Sequence, residues 1–104
     1  MQHKNYVRPL TDQDRLHVSF SKHHGKLIRF SLNYSAKMDG RWREIFRIDN
    51  CHGRPHIHRY YLQRRQFRIS LDQDRNEAFT AGHEYIAAKF LKIRENYLRI
   101  RKKI

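Results

Sequence analysis

The chain has 104 residues and is strongly basic, because 23 Lys and Arg outweigh 10 Asp and Glu and leave a formal net charge of +13. Its single cysteine, Cys51, excludes an internal disulfide. No stretch is apolar enough to span a bilayer and no signal peptide is visible, so we expect one cytoplasmic domain, residues 1–104, that makes no use of a membrane.

The positive charge predicts a polyanionic partner. Self-repulsion of this size opposes a compact state unless a polyanion neutralises it. Arg outnumbers Lys in the chain, and guanidinium groups bind phosphate oxygens and stack on bases better than ammonium groups do. Nucleic acid, with RNA favoured, is therefore the predicted partner.

The first half of the chain predicts strands. Residues 1 to 14 predict an irregular or short helical entry, since Pro9 is followed by Thr11 and Asp12, a typical helix start. From Leu16 onward every second residue is apolar, which predicts two strands with a turn at residues 21 to 25. The apolar faces of these strands comprise Leu16, Val18 and Phe20, and then Ile28, Phe30, Leu32 and Tyr34.

A hairpin at Asp39-Gly40 predicts the entry into a third strand. We expect this strand to direct Trp42, Phe46 and Ile48 to the core and to expose Arg43, Ile45, Arg47 and Asp49 on its other face. A loop at residues 51–55 and further strands at 56–62 and 66–71 complete a predicted antiparallel meander.

After residue 72 the apolar period lengthens from two to three or four residues. Asp74 and Glu77 have the spacing of a capping box, which predicts the start of a helix. One stripe of that helix is apolar and comprises Phe79, Ile86, Phe90, Ile93, Tyr97 and Ile100. The predicted fold class is α+β: an antiparallel β-meander of about five strands with a long C-terminal helix packed on one face. Apolar residues in the last turns also suggest a homodimer.

The densest group of polar residues lies between Arg47 and Tyr61 and predicts a site. Alternation places His56, His58 and Tyr60 on one face, and the turn around Gly53 could fold His52 back toward them. In one interpretation two histidines act as general base and general acid in metal-independent cleavage of RNA, with an arginine stabilising the transition state. The pair would be His52 and His58.

Two other interpretations of this segment stay open. His56 and His58, with His52 or Asp49, could form a metal site, although the surrounding positive charge opposes a bound dication and the chemistry above needs no cofactor. Alternatively, the histidines are part of a basic binding surface. The residues predicted to contact nucleic acid in either case are Arg29, Arg43, Arg54, Arg59, Tyr60 and Arg68.

The segment from Arg47 to His58, with its Arg-x-Asp-Asn and Pro-His-x-His elements, resembles the signature of small toxins of bacterial toxin–antitoxin pairs, the TumE-like group. Those toxins have more histidines between the two elements, where this chain has Gly53 and Arg54. The resemblance implies a growth-inhibiting toxin, a ribonuclease, that an antitoxin neutralises. It implies as site residues Arg47, Asp49, His52, His56 and His58. The alternative function is a non-enzymatic nucleic-acid-binding protein, an inhibitor or a subunit of a larger complex.

Overall fold

The computed structural model describes residues 1–49 and 75–101, and the backbone of residues 56–59. These residues form an antiparallel meander in which each strand pairs with the next along the chain, followed by one long helix. The elements are β1 (Gln2–Thr11), β2 (Asp14–His23), β3 (Lys26–Met38), β4 (Arg41–Asp49), β5 (His56–Arg59) and α1 (Arg75–Arg101). The predicted α+β class, with an antiparallel sheet and a C-terminal helix on one face, is confirmed.

The strands differ from the prediction at the beginning of the chain. The expected irregular or helical entry is wrong, because residues 2 to 11 form β1 and pair with β2 from Gln2↔Lys22 to Thr11↔Asp14. Four long strands make up most of the sheet, and the short β5 covers only the start of the strand predicted at 56–62. The strand predicted at 66–71 lies outside the described residues.

Two tight hairpins fix the register of the central strands. His24 and Gly25 have positive φ angles of 50° and 76°, and Asp39 and Gly40 have φ angles of 53° and 75°. Positive φ at both central residues defines the hairpin turn whose twist matches that of the flanking strands. Both turns lie where the sequence predicted them.

The core lies between α1 and one face of β2, β3 and β4. The predicted alternation holds for Leu16, Val18, Leu32 and Tyr34, none of which is exposed. Helix α1 covers this face with a stripe in which Ala78, Ile86 and Ile93 are buried, while Phe79, Phe90, Tyr97 and Ile100 are partly buried against the core. Gly82 allows close packing, since a Cβ there would lie 3.0 Å from Leu32 Cδ1.

A bulge in β4 reverses the predicted faces of its first residues. Phe46 pairs with Tyr34 and Glu44 with Ser35, so Ile45 is an extra residue between them. Trp42 therefore does not face the core as predicted and is 38% exposed. Arg43, predicted on the opposite face, instead pairs with the buried Ala36 on the helix side of the sheet.

A buried carboxylate joins the sheet to the helix. Asp14 is fully buried, and its Oδ1 accepts a hydrogen bond from the hydroxyl of Tyr34 at 2.5 Å. Its Oδ2 accepts hydrogen bonds from the hydroxyl of Thr11 and from Arg94 Nη1, the latter at 2.8 Å. Because Arg94 lies in α1 and the other three residues in the sheet, this cluster fixes the C-terminal half of the helix to the strands.

Candidate nucleic-acid interface

The face of the sheet opposite α1 is polar, and we call it the open face. In β2, β3 and β4 its side chains are those that alternate with buried residues. The pairing register extends this assignment to β1 and aligns the side chains in rows across the sheet. Its residues are His3, Asn5, Val7, Arg15, His17, Ser19, Ser21, Arg29, Ser31, Asn33, Ser35, Lys37, Trp42, Glu44, Arg47 and Asp49. It combines several cations with short hydroxyl and amide side chains.

Cations at the surface give the open face its electrostatic character. Arg29 and Lys37 are exposed on β3, and the exposed His17 of β2 pairs with Asn33 between them. Arg29 and Lys37 are eight residues apart on the same face of β3, about 26 Å at ~3.3 Å per residue, so one extended polyanion can contact both. The strands therefore hold an array of cations that can bind several phosphates of one strand of nucleic acid.

An aromatic side chain lies at one end of this array. The guanidinium carbon of Arg15 lies 4.0 Å from the centroid of the Trp42 ring, which is a cation–π contact. Trp42 follows the hairpin at Asp39 and Gly40 and pairs in register with Lys37. An exposed indole beside two cations can stack on a base while the cations bind the adjacent phosphates.

An ion pair lies at the opposite end of β4. Arg47 Nε donates to Asp49 Oδ2 at 2.7 Å, and Asp49 is 1% exposed although it is on the open face. Two residues predicted as catalytic are thus in direct contact. The guanidinium offsets the charge of the carboxylate, so this end of the face does not repel phosphate as a free carboxylate would.

The backbone of β5 adds two of the predicted histidines to this end. In the register of β4 and β5, Arg47 pairs with His58 and Asp49 pairs with His56. Directly opposite residues of antiparallel strands have Cα atoms about 5 Å apart. Four of the five predicted catalytic positions therefore occupy adjacent places in one ladder, and the fifth, His52, lies outside the described residues.

The residues predicted to contact nucleic acid are distributed unequally. Arg29 lies exposed on the open face as expected. Arg43 lies on the helix side, where its Nε is buried and has no hydrogen-bond partner among the described residues. Arg59 pairs with Phe46, a core residue, whereas His58 pairs with Arg47 of the open face. The register therefore assigns Arg59 and His58 to opposite faces of the sheet. Arg54, Tyr60 and Arg68 lie outside the described residues.

The sequence prediction omitted several residues of the open face. Arg15, His17 and Lys37 alternate with buried residues of β2 and β3 in the same way as Arg29, so the period-two pattern could have identified them. Trp42 carried no such signal, because the bulge that exposes it depends on how β4 pairs with β3.

Within residues 1–49 and 75–101, no group of three or more His, Cys, Asp or Glu is arranged to hold a metal ion. The metal site suggested for the histidine segment depends in part on His52, so these residues alone do not test it. Within the same described ranges, no helix is long and apolar enough to cross a membrane.

These features define a small basic α+β domain with one face of its sheet covered by a helix and the other presenting cations. The chain belongs to the family DUF7718, a domain of unknown function whose family model matches residues 1–103. No curated protein and no solved structure matches it. Because the family description gives no activity, the resemblance to TumE-like toxins stays a prediction.

Proposed function

We propose that the protein binds single-stranded nucleic acid, RNA in preference to DNA, along the open face of its sheet. The observation that supports this proposal most is the alternation of β2 and β3, which exposes His17, Arg29 and Lys37 on the face that α1 leaves uncovered. The net charge of +13 supplies the long-range attraction that such binding needs.

The preference for a single strand follows from the aromatic residue. A base can stack on Trp42 only if it is not already stacked within a duplex, and each such contact contributes about 1–3 kcal/mol. The face also offers uncharged donors and acceptors, including the Ser31 hydroxyl, which donates to Asn33 Oδ1 at 3.3 Å. Groups of this kind can bind a 2′-hydroxyl, which is the group that distinguishes RNA from DNA.

A pair of lysine variants tests where the nucleic acid binds. Lys37 is exposed on the open face and Lys92 is exposed on α1, so Lys37→Ala and Lys92→Ala lower the net charge equally at two places. We expect Lys37→Ala to weaken binding of a labelled single-stranded RNA. The slope of the logarithm of the binding constant against the logarithm of the salt concentration (the salt slope) should become smaller by about 0.7, the value for one lost phosphate contact.

Lys92→Ala is the matched control and should retain both the affinity and the salt slope of the parent protein. Fluorescence anisotropy at several salt concentrations measures both quantities. Equal losses in the two variants would mean that the charge acts without a defined surface, and an unchanged Lys37→Ala would refute the open face as the binding site.

A second candidate function is metal-independent cleavage of the bound RNA. It is favoured by the register of β4 and β5, in which the backbone of His56 pairs with Asp49 and that of His58 pairs with Arg47. General acid–base catalysis by two histidines requires such proximity to one phosphate and its 2′-hydroxyl. A toxin role, and with it an antitoxin partner, would follow from this activity.

Incubation of RNA with the protein in EDTA tests the cleavage proposal. We expect product from the parent protein, and none from His58→Ala although that variant still binds RNA. Cleavage that continues undiminished in His52→Ala, His56→Ala and His58→Ala would exclude the site assignment. Salt-dependent binding with no product at all would favour the alternative function, a binding protein that acts as an inhibitor or as a subunit of a complex.

A further inference from the structure

The outer edge of β1 is unpaired within the described part of the chain. β1 is ten residues long, lies first in the sheet order and pairs with β2 along its inner edge. Every side chain from Gln2 to Thr11 is exposed except that of Leu10, which is half-buried. A long exposed edge strand presents a row of free backbone N–H and C=O groups, to which another strand can pair.

Pro9 indicates which backbone groups face outward. A proline has no N–H and fits a sheet where its nitrogen faces away from the neighbouring strand. Pro9 pairs with Arg15, and the register is continuous from there back to Gln2. Because alternate residues direct their backbone groups to the same edge, the outward N–H groups are those of His3, Asn5 and Val7.

The side chains of β1 determine the chemistry of a strand that could pair there. Lys4 and Arg8 flank the centre of the strand, and residues 2 to 11 include no acidic side chain. Two large apolar side chains at the centre are exposed on opposite faces, Tyr6 by 43% and Val7 by 47%. A strand with acidic residues opposite the cations and apolar residues opposite Tyr6 and Val7 is complementary to this edge.

A second copy of this chain is a poorer match. If two β1 strands paired antiparallel about Tyr6, Lys4 of each would lie directly opposite Arg8 of the other. Like charges at directly opposite positions destabilise a strand pair. The charge on both copies would also oppose their approach, since each carries a net charge of +13.

We infer that β1 is a docking edge for an extended acidic segment of a protein partner, which adds a strand to the sheet. In strand addition the backbone hydrogen bonds supply affinity and the alternating side chains supply specificity. This site lies at the outer edge of β1, two strands from Arg29 and Lys37 on β3, and it uses backbone groups rather than those cations.

A synthetic peptide provides the test. The probe is a fluorescein-labelled peptide of ten residues with Glu-Val-Val-Thr-Glu at its centre, which in an antiparallel pair places Glu opposite Arg8 and Lys4 and Val opposite Val7 and Tyr6. Its control is the same peptide N-methylated at every backbone amide, which keeps the charge and lacks the donors. The protein variants are Val7→Pro, which removes one outward N–H, and Val7→Thr, which keeps it. Circular dichroism confirms that both variants fold.

We expect the acidic peptide to bind the full chain, and Val7→Pro to weaken it by about tenfold, corresponding to the loss of about one hydrogen-bonded contact. Val7→Thr should bind as the parent protein does, and the N-methylated peptide should not bind. Amide hydrogen exchange should slow at Asn5 and Val7 on addition of the peptide. The peptide should bind Lys37→Ala, the variant expected to weaken RNA binding, as tightly as it binds the parent protein, because Lys37 lies on β3, away from the edge of β1; this separates the proposal from the one for the open face.

Three results would overturn the inference. If the N-methylated peptide binds as well as the parent peptide, the attraction is charge alone, and this comparison holds even if Val7→Pro fails to fold. If the parent peptide does not bind, the edge does not accept an acidic strand. If the protein forms dimers that Val7→Pro abolishes, the occupant of the edge is a second copy.

Discussion

Replacing Asp14 by Asn tests the contact that joins the helix to the sheet. Asp14 is fully buried, whereas its partner Arg94 is 30% exposed, so the guanidinium keeps part of its hydration when the carboxylate is lost. Breaking a fully buried ion pair costs about 3–5 kcal/mol, and the partial exposure of Arg94 indicates the lower end of that range. We therefore expect the free energy of unfolding to fall by about 3 kcal/mol.

A loss of that size is a large part of the stability of a domain this small, which is typically about 5–15 kcal/mol. It corresponds to a decrease in melting temperature of about 10–20 °C. Urea unfolding followed by circular dichroism should show a lower midpoint with an unchanged slope, since the surface exposed on unfolding is the same.

Asp12→Asn is the matched control, because Asp12 is exposed in the turn between β1 and β2 and its substitution changes the net charge equally. We expect it to be close to neutral. Tyr34→Phe removes one of the donors to Asp14 and should cost about 1–2 kcal/mol. A loss below about 1 kcal/mol in Asp14→Asn would refute the claim that the carboxylate stabilises the attachment of the helix.

Other predictions concern the helix and a turn. Burial lowers the pKa of His83 below its ordinary 6.5, the charge of Arg8 lowers it further, and Glu84 opposes both. The unfolded chain therefore binds a proton at His83 more readily than the folded chain does, and the free energy of unfolding should fall as the pH falls through 6.5 toward the lower pKa. Urea titrations at one pH above 6.5 and one below it should show a smaller decrease for His83→Gln than for the parent protein. An equal decrease in both proteins would contradict the assignment to His83. Gly40→Ala should cost about 1 kcal/mol in thermal unfolding, because φ is 75° there. Ile86→Ala should cost about 3 kcal/mol in urea, since Ile86 is fully buried, and a near-neutral result would mean that the helix packs elsewhere.

The sequence predicted those parts of the fold that depend on local pattern. Alternation in β2 and β3 identified the buried residues, such as Val18 and Leu32, because one face of each strand meets the helix. The two hairpins were predictable because Gly25 and Gly40 occupy positions with positive φ. The apolar period of α1 likewise marked Ile86 and Ile93 as core residues.

The features that the sequence did not predict depend on distant partners. β1 is a strand because β2 supplies its hydrogen bonds, and its exposed side chains leave no apolar pattern to detect. The bulge at Ile45 exchanges the faces of Trp42 and Arg43, and it arises from pairing with β3. Asp14 is buried by Tyr34 and Arg94, which are 20 and 80 residues away in the chain.

The same distinction applies to the candidate site. The exposed polar side chains of β2 and β3 follow from alternation, and Arg29 was identified in this way. The pairing of His56 with Asp49 and of His58 with Arg47 required the register of β4 and β5. Cleavage of RNA by this group stays a prediction, as does the role of His52.

Trp42 is the single tryptophan of the chain and lies on the open face, so its fluorescence reports directly on the central claim. A uridine oligonucleotide of about ten residues should quench this emission as it binds, and added salt should reverse the quenching. Labelled RNA that binds, as judged by anisotropy, while the emission of Trp42 stays constant would contradict binding of single-stranded RNA along the open face.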